Sequence, residues 1–313
     1  MSYPDPQLRD SWLRFVDETA PFRADLFSFG LRLSSSPFDA EDLVHDALLR
    51  AFASIAFQDQ GIDNLRSYLL RIMSNLWIDE QRRVRTDLSR DLDQIPADGD
   101  PVETTALLGD AAQQLARLSP QERVAVVLKD AFELTHGEIA GLLSTSEGSV
   151  RVALHRGRGK LRQPDHVETP NRVSRATVAA FVDAFEAYDM ERLVDLMVDD
   201  AEAFVFPVGG GRGRTFHRDE GWLFGCFYHH DPRRAAEQDP FPRQLEIVDV
   251  AGEPVVLVSQ DDGAGTALAE AWRFTDDGND HLAGVKDYCF CPELLAHLAE
   301  VYEKPFLPRP YRF

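Results

Sequence analysis

The sequence predicts a multidomain fold in which two all-α domains, the second with a helix-turn-helix, precede an α+β domain with a curved antiparallel sheet. Three observations predict it. At 313 residues the chain is too long for one typical domain. Helical periodicity extends over the first half and is interrupted by an acidic linker and a linker with prolines. Beyond about residue 200, β-like runs alternate with turn signals such as Asp-Asp-Gly.

The charge of the chain is unevenly distributed. The net charge of −20 at first argues against nucleic acid as a partner. Residues 66–90 nevertheless carry a net charge of +3, and residues 147–162 a net charge of +4. Six acids without Lys or Arg occupy residues 91–110 between them. Either basic run alone is compatible with a solvated face, but the pair favours two DNA-touching modules on a linker.

Other compositional features concern location and redox state. No apolar run approaches the ~20 residues that a membrane span needs, and no signal-peptide pattern opens the sequence. Three cysteines cannot all pair, and they indicate no disulfide framework. We therefore expect a cytoplasmic protein without membrane association.

The first predicted domain, residues 8–88, contains two amphipathic helices. From Asp39 to Phe52 the apolar residues form one broad stripe, and acids in the first turn suit the helix dipole. The polar residues left on the other face are Glu41, Asp42, His45, Asp46 and Arg50. A second helix, from about residue 65 to 85, should bury its aliphatic side chains and expose arginines.

An acidic linker, residues 89–110, precedes the second predicted helical domain, residues 111–163. Ser119 and Thr135 are each followed three residues later by Glu, the spacing of a capping box. Ser146 can cap a third helix, which is longer and basic. A short helix, a turn and a longer basic helix predict a helix-turn-helix, although helical pairs that do not bind DNA share this spacing.

A second linker, residues 164–174, leads to the α+β domain, residues 175–313. We expect a helix at about 176–197, a strand at 203–206 and an aromatic helix at 222–228. Further strands are predicted at residues 245–250, 254–260, 268–274 and 281–290. The Gly triplet at 209–211 lacks the spacing and the Lys of a P-loop, so we interpret it as a hairpin turn.

Polar and sulfur side chains of this last domain raise two sharper hypotheses. The candidates for general acid or base are His217, Asp219, His229 and His230. Cys289 and Cys291 would share a strand face if that strand persists, with further metal ligands from Cys226, His229 and His230. The sequence Cys291-Pro-Glu also matches an ordinary helix start, and cysteine is commonly buried. We therefore assign no catalytic residue, no metal and no cofactor.

Several stretches resemble bacterial RNA polymerase sigma factors of the extracytoplasmic-function group, group IV of the sigma-70 superfamily. The run from Asp39 to Phe52 resembles their second conserved region, with His45 for a usual Gln and Phe52 for a usual Trp. In residues 68–83, which resemble the helix that follows, Ser74 replaces a common Arg. The family positions kept there are Arg71, Asn75, Asp79, Arg82 and Arg83. Residues 118–162 resemble the other sigma domain.

The resemblance implies a non-enzymatic factor that binds core RNA polymerase, recognises the −10 and −35 elements of promoter DNA and promotes transcription initiation. The implied polymerase contacts are Asp39, Glu41, Asp42, His45, Asp46 and Arg50. The implied −10 contacts are Asn64, Arg66, Arg71, Asn75, Asp79, Arg82 and Arg83, with the loop at 58–66. At the −35 element, Glu147, Ser149, Arg151 and Val152 would address base edges, and His155, Arg156, Arg158 and Lys160 phosphates.

The order of elements in residues 175–313 resembles the SnoaL-like, NTF2-like fold. This implies a domain that modulates the sigma domains in place of or beside an anti-sigma factor, through intramolecular contacts or a small-molecule ligand. From His166 onward there are 27 acids and 14 bases, so this part could compete with DNA for basic faces. Two alternatives stay open: a helix-turn-helix regulator with a ligand-sensing C-terminal domain, and an NTF2-like enzyme fused to a DNA-binding module.

Overall fold

The computed structural model describes residues 6–55, 62, 64–91, 115, 117–161, 173–187, 189–207, 209–213, 243–261, 265–279 and 281–307. The chain forms two compact units, Met1–Val167 and Glu168–Phe313. The first three residues of the predicted acidic linker, 89–91, belong to the helix that begins at Leu65. Residues 92–110 of that linker and the aromatic helix predicted at 222–228 lie outside the described residues, and the finer domain boundaries stay predictions.

The first unit begins with four α-helices, and a single 3-10 turn, Ala20–Phe22, joins the first two. They are α1 (Pro6–Thr19), α2 (Arg23–Ser34), α3 (Pro37–Ile55) and α4 (Leu65–Asp91). Gly30 of α2 lies so close to α3 that a Cβ there would be 3.0 Å from the carbonyl oxygen of Ala40. Phe52 of α3 meets Trp12 of α1 edge to face at 4.9 Å between ring centroids. Close backbone approach and aromatic packing thus position α3 within this bundle.

Three further helices form the helix-turn-helix part of this unit. They are α5 (Pro120–Asp130), α6 (His136–Leu142) and α7 (Glu147–Lys160). Ser119 and Thr135 each complete a capping box, with Glu122 and Glu138 respectively. Ser146 caps α7 by accepting the backbone N–H of Ser149 at 3.1 Å. The three predicted helix starts are confirmed because side-chain caps satisfy local backbone donors.

Helix α5 packs against α2 and α4, and Arg123 is the principal polar contact. Its guanidinium donates to the carbonyl oxygen of Arg32 at 3.1 Å and to Oγ of Ser35 at 2.5 Å. Its Cζ lies 5.6 Å from the centroid of the Trp77 ring. Burial lowers the pKa of Arg123 to about 10. A buried cation therefore connects the helix-turn-helix part to the four-helix part.

The second unit contains a six-stranded sheet of order β2-β1-β6-β5-β4-β3. The strands are β1 (Met197–Val205), β2 (Gly209–Arg212), β3 (Arg243–Val250), β4 (Glu253–Asp261), β5 (Thr266–Asp276) and β6 (Leu282–Asp287). Neighbours are antiparallel except β1 and β6, which are parallel. The prediction of an antiparallel sheet holds for four of these five strand pairs and fails for β1 and β6, which are far apart in sequence and not linked by a hairpin.

Among the described residues of this unit three helices accompany the sheet: α8 (Arg175–Glu186), α9 (Met190–Asp195) and α10 (Pro292–Val301). Phe181 and Phe185 of α8 pack edge to face on Phe274 and Trp272 of β5, at 5.1 and 4.8 Å. The single helix predicted at 176–197 is instead two helices and the start of β1. Asp189 begins the second helix by accepting the backbone N–H of Arg192 at 3.0 Å.

Two further predictions for this unit are corrected. The Gly triplet is not the turn but part of β2, where a Cβ at Gly210 would collide with the ring of Phe204. The strand predicted to reach Phe290 ends at Asp287, whose Oδ1 accepts the backbone N–H of Cys289 at 3.0 Å. Cys289 and Cys291 are buried but share no strand, and Cys291 stands at the start of α10.

Candidate nucleic-acid interface

An exposed polar face runs along α4. Arg71, Asn75, Asp79 and Arg82 follow one another at spacings of three or four residues, and all four are exposed. The buried side of the helix is formed by Leu69, Leu70, Met73, Leu76 and Ile78. Asp79 and Arg82 form an exposed ion pair at 3.7 Å, so Asp79 also orients a neighbouring cation. The helix thus presents amide, carboxylate and guanidinium groups side by side, as reading and holding DNA requires.

Three residues predicted to touch DNA, at or near the first turns of α4, have hydrogen-bond partners within the protein. Asn64 accepts the backbone N–H of Ser67 at 2.9 Å and so caps the helix. Arg66 donates to Asp25 at 2.8 Å and its Cζ lies 5.5 Å from the centroid of the Phe132 ring. Arg71 donates to Oγ of Ser144 at 3.2 Å. Most of the loop predicted at 58–66 lies outside the described residues.

The outward face of α7 is the second polar surface. Val150, Leu154 and Gly157 are buried, and the other side of the helix is exposed. The side chains of Arg151, Val152, His155 and Arg156 are all exposed there. Among the residues that the structure describes, Arg156 has no ion-pair partner within 4 Å. This is the arrangement of a recognition helix, with polar and apolar groups directed away from the bundle.

A cavity of about 300 Å³ lies where α6 begins beside α7. Its lining consists of His136, Arg151, Leu154, His155, Arg158 and Gly159. Four of these six residues have nitrogen donors in their side chains, so the cavity suits an anion such as a phosphate group. His136 was not among the predicted contacts, because its position beside α7 depends on the turn between the two helices.

Carboxylates of α5 hold the last two predicted phosphate contacts. Arg158 forms an ion pair with Asp130, and this hydrogen bond raises the pKa of Arg158. Lys160 donates to Glu122 at 2.6 Å. Burial raises the pKa of Glu122, but the hydrogen bonds from Lys160 and Ser119 together bring it below the ordinary value. The side chains of Arg158 and Lys160 are nevertheless exposed, so the same residues can attach α7 to α5 and contact a phosphate.

The acidic helix α3 differs from its prediction at two positions. Glu41 is fully buried and forms an ion pair with Arg23 at 2.6 Å. His45 is buried as well. The expectation that these two lie on the exposed face is wrong, because Glu41 faces Arg23 of α2 and His45 is enclosed in the folded unit. Asp39 and Asp42 are half-buried, and Asp46 and Arg50 are exposed.

In the second unit a polar cluster occupies the sheet interior. Glu270 is fully buried and accepts from Nε2 of Gln260 at 2.9 Å and from Nε1 of Trp272 at 3.2 Å. Arg243 lies 3.6 Å from the same carboxylate. The proposed acid or base residues at 217, 219, 229 and 230, and Cys226, lie outside the described residues. Within the described ranges no group of three or more His, Cys, Asp or Glu is arranged to hold a metal ion.

Comparisons with known proteins match both polar surfaces to one family. The family model described as "Sigma-70 region 2" matches residues 20–86, which include α4, and "Sigma-70, region 4" matches residues 108–161, which include α7. The chain is 30% identical over 145 residues to the RNA polymerase sigma-E factor of Streptomyces avermitilis, and covers 74% of that protein. This chain belongs to the sigma-70 family, in its extracytoplasmic-function (ECF) group.

Longer relatives extend beyond the matched part. The chain is 30% identical over 223 residues to the ECF RNA polymerase sigma factor SigG of Mycobacterium tuberculosis, which covers 60% of each protein. The crystal structure of SigJ from the same organism is 21% identical, and the match covers 90% of this chain and 98% of that one with a TM-score of 0.35. The chain thus spans about three fifths of the first curated relatives. In the described ranges every helix is too short or too polar to cross a bilayer.

Proposed function

We propose that this chain is a sigma factor that binds core RNA polymerase, recognises the −10 and −35 promoter elements and promotes transcription initiation. The observation that carries the proposal is the pair of exposed polar faces on α4 and α7, each within a matched sigma region. The family's members are not enzymes, and the proposal assigns no catalytic role. We place its action in the cytoplasm, where core polymerase and promoter DNA are found.

The face of α4 suits the −10 element. Asn75 can both donate to and accept from a base edge, and its neighbours Arg71 and Arg82 can hold phosphates on either side. Extracting a base from the stack costs a few kcal/mol, which contacts to the extracted base must offset. Asn75→Ala should therefore impair promoter opening while binding of closed duplex is kept.

The face of α7 suits the −35 element. Its N-terminal half would enter the major groove, and Arg156, His155 and the cavity beside them would hold backbone phosphates. Arg156→Ala removes one phosphate contact, so binding should weaken equally for all DNA sequences. The slope of log K against log salt concentration should become less steep by about one.

The acidic side of α3, on which Asp46 is exposed and Asp39 and Asp42 are half-buried, suits core polymerase. Asp39, Asp42 and Asp46 give this helix a negative surface that a basic surface of the polymerase could match, with Arg50 beside them. Glu41 is left out of this proposal because its carboxylate is engaged with Arg23. Asp46→Arg should reduce assembly with core polymerase, measured by co-elution, without changing the stability of the isolated chain.

Transcription from a matched promoter with purified core polymerase tests the whole proposal. Stimulation by this chain is the expected result. No stimulation would reject it, and sequence-specific duplex binding without polymerase would instead favour a helix-turn-helix regulator.

We further propose that the second unit is a SnoaL-like, NTF2-like domain that modulates the sigma domains, in place of or beside an anti-sigma factor. The six-stranded sheet with α8 across it, and the buried cluster around Glu270, support this. The modulation would work through intramolecular contacts or a small-molecule ligand. Truncation near Gln163 should change promoter binding or transcription, and unchanged activity would rule out the regulatory role.

A further inference from the structure

Val152 occupies the centre of the outward face of α7. Successive helical residues are about 100° apart, so Val152 lies opposite the buried residues Val150 and Leu154. The same side of the helix also contains Gly148, four residues before Val152, and Gly159, seven residues after it. The side chain of Val152 is 49% exposed. Val152 therefore projects from the middle of the outward face, with bare backbone at Gly148 and Gly159 and the exposed side chains of His155 and Arg156 beside it.

Close packing explains only one of the two glycines near the end of this helix, Gly157 and not Gly159. A Cβ at Gly157 would lie 3.0 Å from Cγ2 of Val126, so close packing of α7 on α5 accounts for that residue. A Cβ at Gly159 would meet no described atom within 4 Å. Glycine in a helix interior is less favourable than Ala by about 1 kcal/mol. A glycine that packing does not need is consistent with close approach of the outward face to a large partner.

The surroundings of Val152 indicate that this partner is DNA. Arg151 and His155, on one flank, line the cationic cavity described above, and Arg156 stands on the other. Cations on both sides that bind the phosphates of the two DNA strands would place Val152 between them, over the floor of the major groove. The edges that bases present there are hydrogen-bonding groups, apart from the C5-methyl group of thymine. A branched aliphatic side chain offers no hydrogen bond, and it packs favourably on that methyl group.

We propose that Val152 is a specificity-determining residue of the −35 contact, which selects thymine by packing on its C5-methyl group. This inference rests on the proposed sigma function and adds the identity of one base to it. Arg156 and His155 set the register by binding DNA phosphates, and Val152 rejects a base pair that lacks the methyl group.

Replacing thymine by uracil tests the inference, because the two bases differ only in the methyl group. Holoenzyme made from the full chain and core polymerase first selects sites from duplexes randomised over the −35 region. The best site is then made with each thymine replaced in turn by deoxyuridine. One replacement should weaken binding by wild type about threefold to fivefold, as expected for one buried methyl group. Val152→Ala should bind the thymine and uracil duplexes equally.

Three variants serve as controls. Val152→Thr keeps one of the two γ-methyl groups, both of which are absent in Val152→Ala, and should retain part of the preference for thymine. Val84→Ala, at an exposed valine of α4, should leave the preference unchanged. Arg156→Ala should weaken binding to both duplexes by the same factor.

The inference is overturned if the selected site has no thymine, if uracil binds wild type equally well, or if Val152→Ala keeps the preference. Loss of holoenzyme assembly in Val152→Ala with the preference intact would assign Val152 to a protein contact, which also overturns it. Failure of wild-type holoenzyme to select any site would reject the sigma function itself, and the inference with it.

Discussion

The ion pair between Arg23 and Glu41 joins α2 to α3 inside the first unit. Both side chains are almost completely buried, and their nitrogen and oxygen are 2.6 Å apart. Two buried charges stabilise a fold little when paired, but either one alone is strongly unfavourable. Glu41 therefore contributes to the packing of α3, whereas Asp46, five residues later on the same helix, is exposed.

Glu41→Gln should lower the free energy of unfolding by about 3 kcal/mol, because it removes the carboxylate charge that faces the buried Arg23 guanidinium at 2.6 Å. Urea unfolding of the full chain measures this. Asp46→Asn is the matched control on the same helix and should change stability by less than ~0.5 kcal/mol. Equal stabilities of the two variants would mean that the buried pair does not hold α3 in place.

The element that relates fold to function most directly is α7. Ser146 caps the start of this helix, and Val150, Leu154 and Gly157 are its buried residues. Its outward face consists of exposed residues. Ion pairs from Arg158 and Lys160 fasten its last turn to α5. Substitutions at the outward residues can therefore change which DNA sequence is bound without changing the position of the helix.

Gly159→Ala should raise stability by roughly 0.5–1 kcal/mol, because the new methyl group meets open space and Ala is the better helix former. The same variant should weaken −35 duplex binding, since the methyl group stands on the outward face of α7. Gly141→Ala on α6 is the control: its Cβ also meets no described atom within 4 Å. It should stabilise the chain similarly and leave DNA binding unchanged. Equal DNA binding by both variants would contradict close approach at Gly159.

At the scale of the whole molecule, the chain consists of two compact units with different means of stabilisation. The first relies on helix caps, aromatic contacts and the buried cation Arg123. The second relies on one sheet. The end of α10 is held against β3 by Tyr302, whose hydroxyl donates to the carbonyl oxygen of Asp249 at 2.7 Å. Burial, together with the carboxylates of Asp249 and Glu246, raises the pKa of Tyr302 to about 12.

The raised pKa of Tyr302 predicts a loss of stability in alkali. An acid with a higher pKa in the folded chain stabilises the fold below its unfolded pKa, about 10 for tyrosine. That contribution is lost as the pH rises from about 10 towards 12. Urea midpoints at pH 9 and pH 11 should therefore fall further for wild type than for Tyr302→Phe, which lacks the titrating hydroxyl. Parallel changes in the two proteins would show that the tyrosine is not linked to folding.

The sequence by itself determined the features that depend on neighbours in the chain. Ser119, Thr135 and Ser146 specify helix starts because each caps backbone groups three residues away. The stripe on α4 follows from helical periodicity, and most strands from short β-branched runs. The polar contacts to DNA and polymerase were inferred in the same way and stay predictions.

Only the tertiary structure decided what depends on distant residues. Glu41 and His45 look exposed on a helix taken alone but are buried in the folded unit, and Arg23 is 18 residues away from its partner Glu41. The parallel pairing of β1 with β6 likewise joins strands that no turn connects. Local hydrogen bonds are fixed by spacing along the chain, whereas burial and pairing are fixed by which elements meet, and that choice is made by the whole core.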